Sequence, residues 1–281
     1  MKVLPFKIPK PEQDTLVFQI DHSEAFYDKL HQHEEIQISF IVSGEGTLVV
    51  GDSVNYYSEG DVLVLGSNIP HVFKSDTQIS KASHMLTLFF TEASFGKQFF
   101  DLEELKELQP FFKRAKHGFK LTSETKPIKD LFFKLDKSSK LDKFITLFQV
   151  LKITSKADYK SLSSFIYDKK YSINEGNRMR DVFEHTMNNY ENDISLETIA
   201  NVANMTKNAF CKYFKKRTNK TFIHFLNELR IEHACKKLIL DKDVSVTEIA
   251  ELVGFNNMSN FNRQFKSLKF MSPSEFRKNY E

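Results

Sequence analysis

Two groups of side chains in this sequence have the types and spacing to do chemistry. The first is His31-x-His33-x-x-x-Gln37-x-Ser39, joined later by Pro70-His71. Imidazoles bind transition metals or hydrogen-bond a polar ligand, and a neighbouring amide or hydroxyl adds contacts. In an extended strand residues 31, 33, 37 and 39 lie on one face, so the pattern predicts a shared polar wall. His71 opens a later apolar run and would bring a third imidazole to it. The second group lies in the last third of the chain. Lys207, Asn208, Cys211, Lys212, Lys215 and Lys216 fall in one stretch that carries no acidic residue from Thr206 to Lys220. Ser259, Asn260, Asn262, Arg263, Lys266 and Lys269 fall in another. Asn, Ser and Arg read base edges in a DNA groove, and lysines neutralise phosphates.

The elements that position these groups follow from length and pattern. With 281 residues the chain exceeds the usual single domain, so two domains are expected. Hydrophobic residues make up 41% and charged residues 27%, which suits a globular chain. No apolar run approaches the roughly 18–20 residues of a membrane helix. The start, MKVLPFKIPKPEQD, has no apolar signal-peptide region. Two cysteines, Cys211 and Cys235, build neither a disulfide framework nor a zinc cage, so a cytoplasmic location is expected. The net charge of +3 says little about nucleic acid, because distribution outweighs the sum.

From about residue 15 to 92 short β-rich runs alternate with turn residues. The runs are 36–42, 47–50, 62–65 and 85–90, and the turns fall at 44–46, 51–52, 60–61 and 68–70. Short strands with frequent turns predict a sandwich or small barrel. After Phe90 apolar residues recur at helical spacing through Ile153. The polar, irregular stretch near 161–177 reads as a linker, and everything beyond it as helix and tight turn. The expected organisation is α+β and multidomain: a β-barrel over 1–95, a helical packing and dimerisation segment over 96–160, the linker, and an all-α domain over 178–281.

That last domain contains an internal repeat. Ile199-Ala200 matches Ile249-Ala250 at an offset of 50, and Phe214-Lys215 matches Phe265-Lys266 at an offset of 51. Each copy has the parts of a helix-turn-helix. In the first, Ser195 or Asp193 caps a helix over 196–203, and small Ala200 lets a second helix pack close. Asn204 takes the left-handed turn, and Thr206 caps the second helix. The second copy repeats this with Ser245, Ala250, Gly254, and Asn256 or Asn257. Phe210/Phe214 and Phe261/Phe265, each four apart, anchor one face of the second helices and leave the other free. An amphipathic stripe over 221–240 predicts one long helix joining the units. Recognition helices held about 34 Å apart would enter successive major grooves.

Residues 190–281 closely resemble the DNA-binding domain of AraC/XylS-type regulators. The matching stretches are ISLETIANVANMTKNAFCKYFKK, TFIHFLNELRIEHACKKLI, SVTEIAELVGFNNMSNFNRQFK and FMSPSEFRK. The resemblance implies a bacterial transcription regulator with double-stranded DNA, RNA polymerase, a small-molecule effector and a second copy of itself as partners. It places Asn208, Cys211, Lys212, Ser259, Asn260, Asn262 and Arg263 against bases. Lys207, Lys215, Lys216, Lys266 and Lys269 then suit phosphates. Asn204 and Asn219 stand where the family often has Gly, and Asn is the next best residue for such turns.

The histidine region resembles the cupin barrel, whose metal-binding members use two His, a Glu and a later His. Here Gln37 takes the Glu position, a poorer ligand for hard metals and iron. The leading expectation is an effector pocket lined by His31, His33, Gln37, Ser39 and His71, with no metal, no cofactor and no catalysis. Packing at the barrel mouth ranks second and a bound metal third. Two rival functions remain: a metal-dependent cupin enzyme with a helical appendage, and a sequence-blind architectural DNA binder.

Overall fold

The computed structural model describes residues 14–166 and 173–280. The chain divides between Gly176 and Asn177 into two compact units, Asp52–Val54 excepted, and each is described by itself.

The first unit is built on two antiparallel sheets. Strands β1 (Leu16–Ser23), β2 (Ile36–Ser43), β5 (Val62–Leu65), β7 (Ser83–Phe90), β8 (Phe119–Leu121) and β9 (Tyr159–Ser161) form one sheet, ordered β1-β7-β2-β5-β8-β9. The other sheet is β4-β3-β6, from β4 (Ser53–Tyr57), β3 (Gly46–Val50) and β6 (His71–Ser75). The larger sheet is buried on both faces, which explains why its central strands read as unbroken apolar runs. On one face Ile38, Phe40, Val62, Val64, Leu86 and Leu88 pack against the helices that follow. On the other, Ile41, Leu63, Leu65 and Met85 meet Leu48, Val50 and Phe73 of the smaller sheet. The period-2 alternation of a strand assigns these faces, so Gln37, Ser39 and Thr87 share the side of Ile41 and Met85, between the sheets.

Three helices cover the outer face: α1 (Gln109–Ala115), α2 (Thr125–Phe132) and α3 (Lys140–Lys156). Phenylalanines are prominent in their interface, among aliphatic residues. Phe90 stacks on Phe111 at 6.4 Å, Phe100 lies 4.8 Å from Phe112, and Phe95 meets Phe144 edge-on at 4.9 Å. Such pairs contribute about 0.5–1.5 kcal/mol each beyond the area they bury.

Three sequence expectations change here. The segment over 96–160 is not wholly helical: β8 and β9 extend the large sheet, with Phe119 paired to Val64 and to Ser161. Each is three residues long, too short to show a period of two. Residues 173–177 of the expected linker lie in α4 (Ile173–Asn189), while 167–172 fall outside the described residues. Finally, β2 starts at Ile36, so His31 and His33 lie in an irregular segment ahead of the strand.

The second unit contains α4, α5 (Leu196–Val202), α6 (Lys207–Thr218), α7 (Phe222–Leu240), α8 (Val246–Leu252), α9 (Met258–Lys269) and α10 (Pro273–Lys278). The expected caps are in place. Ser195, Thr206, Ser245 and Asn257 each accept a backbone N–H of the helix they open, and Thr221, expected inside the joining helix, instead caps it. Ser272 and Glu275 complete a capping box on α10. The repeat is visible in the backbone itself. Met205 N donates to Ala200 O at 2.9 Å, and fifty residues later Phe255 N donates to Ala250 O at 2.9 Å. Ala200 and Ala250 are both buried, as close helix packing requires.

Candidate functional site

In the second unit α5–α6 and α8–α9 each form a helix-turn-helix. Phe210 and Phe214 are buried beneath α6, and Phe261 and Phe265 beneath α9. Their burial fixes which face each helix leaves open. On α6 that face carries Asn208, Cys211, Lys212, Lys215 and Lys216, all exposed. Lys207 is exposed too, with Nζ 2.7 Å from Glu197 Oε1. Arg217 stacks over the Tyr213 ring at 4.2 Å and extends the cationic surface at the end of α6. On α9 Ser259, Asn262, Arg263 and Lys266 are exposed.

Two of the expected contact residues are placed differently from their neighbours. Asn260 is half-buried, and its Oδ1 accepts from Arg263 Nη2 at 2.9 Å. It thereby holds the guanidinium along the helix face. Lys269 is half-buried with Nζ 2.6 Å from Glu232 on α7, so its charge is neutralised within the domain. That partner is 37 positions away and gave no local signal.

A residue that sequence reasoning passed over ties the segment before α5 to the turn after α8. Arg230 on α7 donates to Tyr190 O at 2.7 Å and Asn192 O at 2.8 Å, and its guanidinium lies over Phe255. A lone Arg in an apolar helix stripe is its signal.

In the first unit the structure brings the histidines together although only part of the segment is strand. Ring centroids of His31 and His71 are 4.2 Å apart, of His33 and His71 5.1 Å, and of His31 and His33 5.9 Å. A backbone pair holds the approach, with His31 N donating to His71 O at 3.0 Å and His71 N to His31 O at 2.9 Å. One ring nitrogen from each imidazole lies within 4.8 Å of the others. Each Nδ1 faces a main-chain carbonyl: Lys29 O at 2.8 Å, Glu35 O at 2.9 Å and Ile69 O at 2.8 Å. A polar ladder continues inward. His33 Nε2 lies 3.2 Å from Gln37 Oε1, Gln37 Nε2 donates to Ser39 Oγ at 2.9 Å, and Ser39 Oγ meets Thr87 Oγ1 at 2.9 Å. Thr87 was the missed rung; its signal is a lone hydroxyl at an inward position of an apolar strand. Burial pushes the His31 imidazole down to about 3 and lowers His33 and His71 as well, so all three are neutral near pH 7.

The metal-binding cupin pattern can be tested against these residues. Three neutral imidazoles fit it. Gln37 departs from it, supplying an uncharged oxygen where a carboxylate is expected. Nε2 of His71 is buried without a hydrogen-bond partner, an orphan that a ligand or ion would satisfy.

Comparisons with known proteins agree with both halves. A family model described as a helix-turn-helix domain matches residues 199–279, and one described as a cupin domain matches residues 17–83. A curated relative from Bacillus subtilis, the uncharacterized HTH-type transcriptional regulator YdeC, is 24% identical over 90% of this chain and 87% of its own length. An uncharacterized HTH-type transcriptional regulator from Pseudoalteromonas carrageenovora is 42% identical over 33% of this chain, a match spanning about half, 54%, of that relative. The solved structure of ToxT from Vibrio cholerae aligns over 94% of this chain and 97% of its own, at 13% identity and a TM-score of 0.37. No described helix is long and apolar enough to cross a membrane. The chain thus resembles helix-turn-helix transcriptional regulators of the AraC type, with a cupin domain matched ahead of the helix-turn-helix domain.

Proposed function

We propose that this regulator recognises specific DNA sequences through α6 and α9 together, under the control of a small polar effector in the cupin domain. The observation that carries the reading is the pair of similarly capped helix-turn-helix units, whose second helices, α6 and α9, each bury two phenylalanines and expose a polar face with no acidic residue of their own. On α9, Ser259, Asn262 and Arg263 read base edges, while Asn260 sets the position of Arg263. On α6, Asn208, Cys211 and Lys212 face bases, and Cys211, a weak hydrogen-bonding group, contributes little readout. Lys207, Lys215, Lys216 and Lys266 engage phosphates. The Lys269–Glu232 pair argues for a minor role for Lys269.

The effector reading rests on the His33–Gln37–Ser39–Thr87 ladder, a polar seam in an otherwise apolar space. A ligand that bonds this seam biases one domain or dimer arrangement over another only if it binds the two with different affinity. RNA polymerase and a second copy of the chain complete the proposed partners, and no catalytic step is assigned. Selection of the full-length protein on randomised duplexes tests the central part. Enrichment of a bipartite motif with half-sites about 10 base pairs apart supports it. Binding without any enriched sequence sinks it.

A further inference from the structure

We propose that Arg230 is a positioning residue for DNA recognition: with the segment Tyr190–Asn192 it locks the angle between the two helix-turn-helix units and so sets the one spacing of half-sites that the protein accepts. The spacing rests on the DNA reading above; the lock itself does not.

The way α7 is shared creates the need for such a lock. Its first half belongs to the core of the first helix-turn-helix, where the rings of Phe222 and Phe225 lie 5.6 and 5.9 Å from that of Phe214. Its second half belongs to the second, where Ile231, Ala234 and Leu238 pack with Ile249, Phe261 and Phe265. Arg230 stands at the change-over, and it is buried. A helix alone is a compliant link, because long helices bend.

Arg230 adds a second tie away from the helix axis. Its Nε donates to Tyr190 O at 2.7 Å and its Nη2 to Asn192 O at 2.8 Å. Those carbonyls lie on the segment that runs into α5, the first helix of the first unit. The same guanidinium lies 5.7 Å from the centre of the Phe255 ring, in the turn of the second unit. Its approach to that turn is close. A Cβ at Gly254 would lie 2.9 Å from Arg230 Nε, and closer still to the carbonyls of Tyr190 and Glu191. Three consecutive carbonyls therefore converge where Arg230 meets Gly254. Tyr190 completes the clamp. Its ring stacks on His233 of α7 at 4.0 Å, with 12° between the planes, and packs against the core of the second unit. A guanidinium is a planar fork, so two bonds fix its orientation as well as its position; an ammonium fixes neither as firmly. Asn204, the corresponding residue of the first turn, is exposed. The tie thus runs one way, from the entry of the first unit to the turn of the second.

On DNA such a lock has a specific consequence. Moving one half-site by a base pair shifts it by about 3.4 Å and turns it by about 35° around the duplex. Two helices held at a fixed angle reach both half-sites at one spacing. Two helices on a compliant link follow the shift.

The lock is tested first without DNA, in full-length protein carrying Cys235→Ala. Spin labels go on Cys211, exposed on α6, and on Ser259→Cys of α9, and the labelled protein is diluted with unlabelled protein. Pulsed electron double resonance should give one narrow distance distribution, broadened in Arg230→Met and in Arg230→Lys. The lysine variant keeps the stem and the charge and serves where the methionine variant does not fold. An unchanged distribution in a folded variant overturns the proposal. Spacing is tested next on the selected bipartite duplex, with its spacer lengthened or shortened by one base pair, and on a single half-site. Wild type should lose at least about tenfold in affinity on either altered spacer, the worth of one good base contact. Arg230→Lys should shrink that penalty severalfold and bind the single half-site as wild type does. A wild-type spacing preference in Arg230→Lys overturns the proposal, and so does an equal loss on the single half-site, the mark of a purely structural role. A wild type that selects a motif without a spacing preference overturns the role of Arg230 and leaves base readout standing. A wild type that selects no motif sinks the DNA reading and the spacing together, and the spin-label distances then decide the lock alone.

Discussion

The two helix-turn-helix units share a backbone plan and differ in how they spend their side chains. Both turn on a left-handed residue after the first helix, Asn204 with φ 52° and Gly254 with φ 89°. At Gly254 a Cβ would lie 2.7 Å from Tyr190 O and 2.8 Å from Glu191 O, so only glycine fits. Asn204 is exposed and needs only tolerance of the conformation. The open faces differ as well. That of α6 is dominated by lysine, and that of α9 by Asn, Ser and a guanidinium held by Asn260. Under the proposed DNA reading, a repeated scaffold divides the work: the first helix-turn-helix would supply mostly attraction to the duplex, and the second most of the discrimination.

The sharpest way to break this comparison is at the turns. Gly254→Ala should destabilise the protein by about 2–3 kcal/mol, since strain at positive φ adds to a clash with two carbonyls. Asn204→Ala should cost nearer about 1 kcal/mol. Equal losses in thermal or denaturant unfolding would show that the turns are interchangeable. Next, Arg263→Ala should weaken specific binding by about 1–3 kcal/mol and relax preference at one base position. A competition assay in which that variant still separates specific from random duplex as well as wild type would remove Arg263 from readout. Phe270 ends α9 at φ 61° and is 88% exposed, so Phe270→Gly should stabilise by about 1 kcal/mol, read as a rise in melting temperature. A loss of stability there would mean the ring packs on something in solution. Lys215→Ala should have the smallest effect. It should weaken all duplexes alike and lower the salt slope of binding by about one phosphate contact. A loss confined to specific DNA would reassign Lys215 to base contact.

The DNA-binding half was legible in sequence because its signals are local and doubled. Cap residues, small Ala200 and Ala250, the turn residues and paired phenylalanines each occur twice in order, so each copy checks the other. The joining helix followed from one apolar stripe. What escaped depends on partners far apart in the chain. Lys269 reads as an exposed lysine until Glu232 comes alongside, and Arg230 has no local clue to its carbonyl partners. In the cupin half the central strands were legible as apolar runs between turns. Strands β8 and β9 were not, because three residues carry no period and gain their place from sheet-edge pairing. The histidines illustrate a right grouping reached by a partly wrong route. Alternation along one strand was the expected cause, whereas the pairing of His31 with His71 across an irregular segment brings them together. The 28 phenylalanines carried no message one by one. Their meaning appears only where rings from strand, short 3-10 and helix segments meet, as at Phe90, Phe100 and Phe148.

The central claim is that two linked recognition helices read one face of a specific duplex. Footprinting of the purified protein on DNA upstream of its own gene and its neighbours, at physiological salt with competitor DNA, tests it most directly. Protection of two adjacent major grooves on one side of the helix is the predicted result. Uniform protection, lost equally to any competitor sequence, would contradict it.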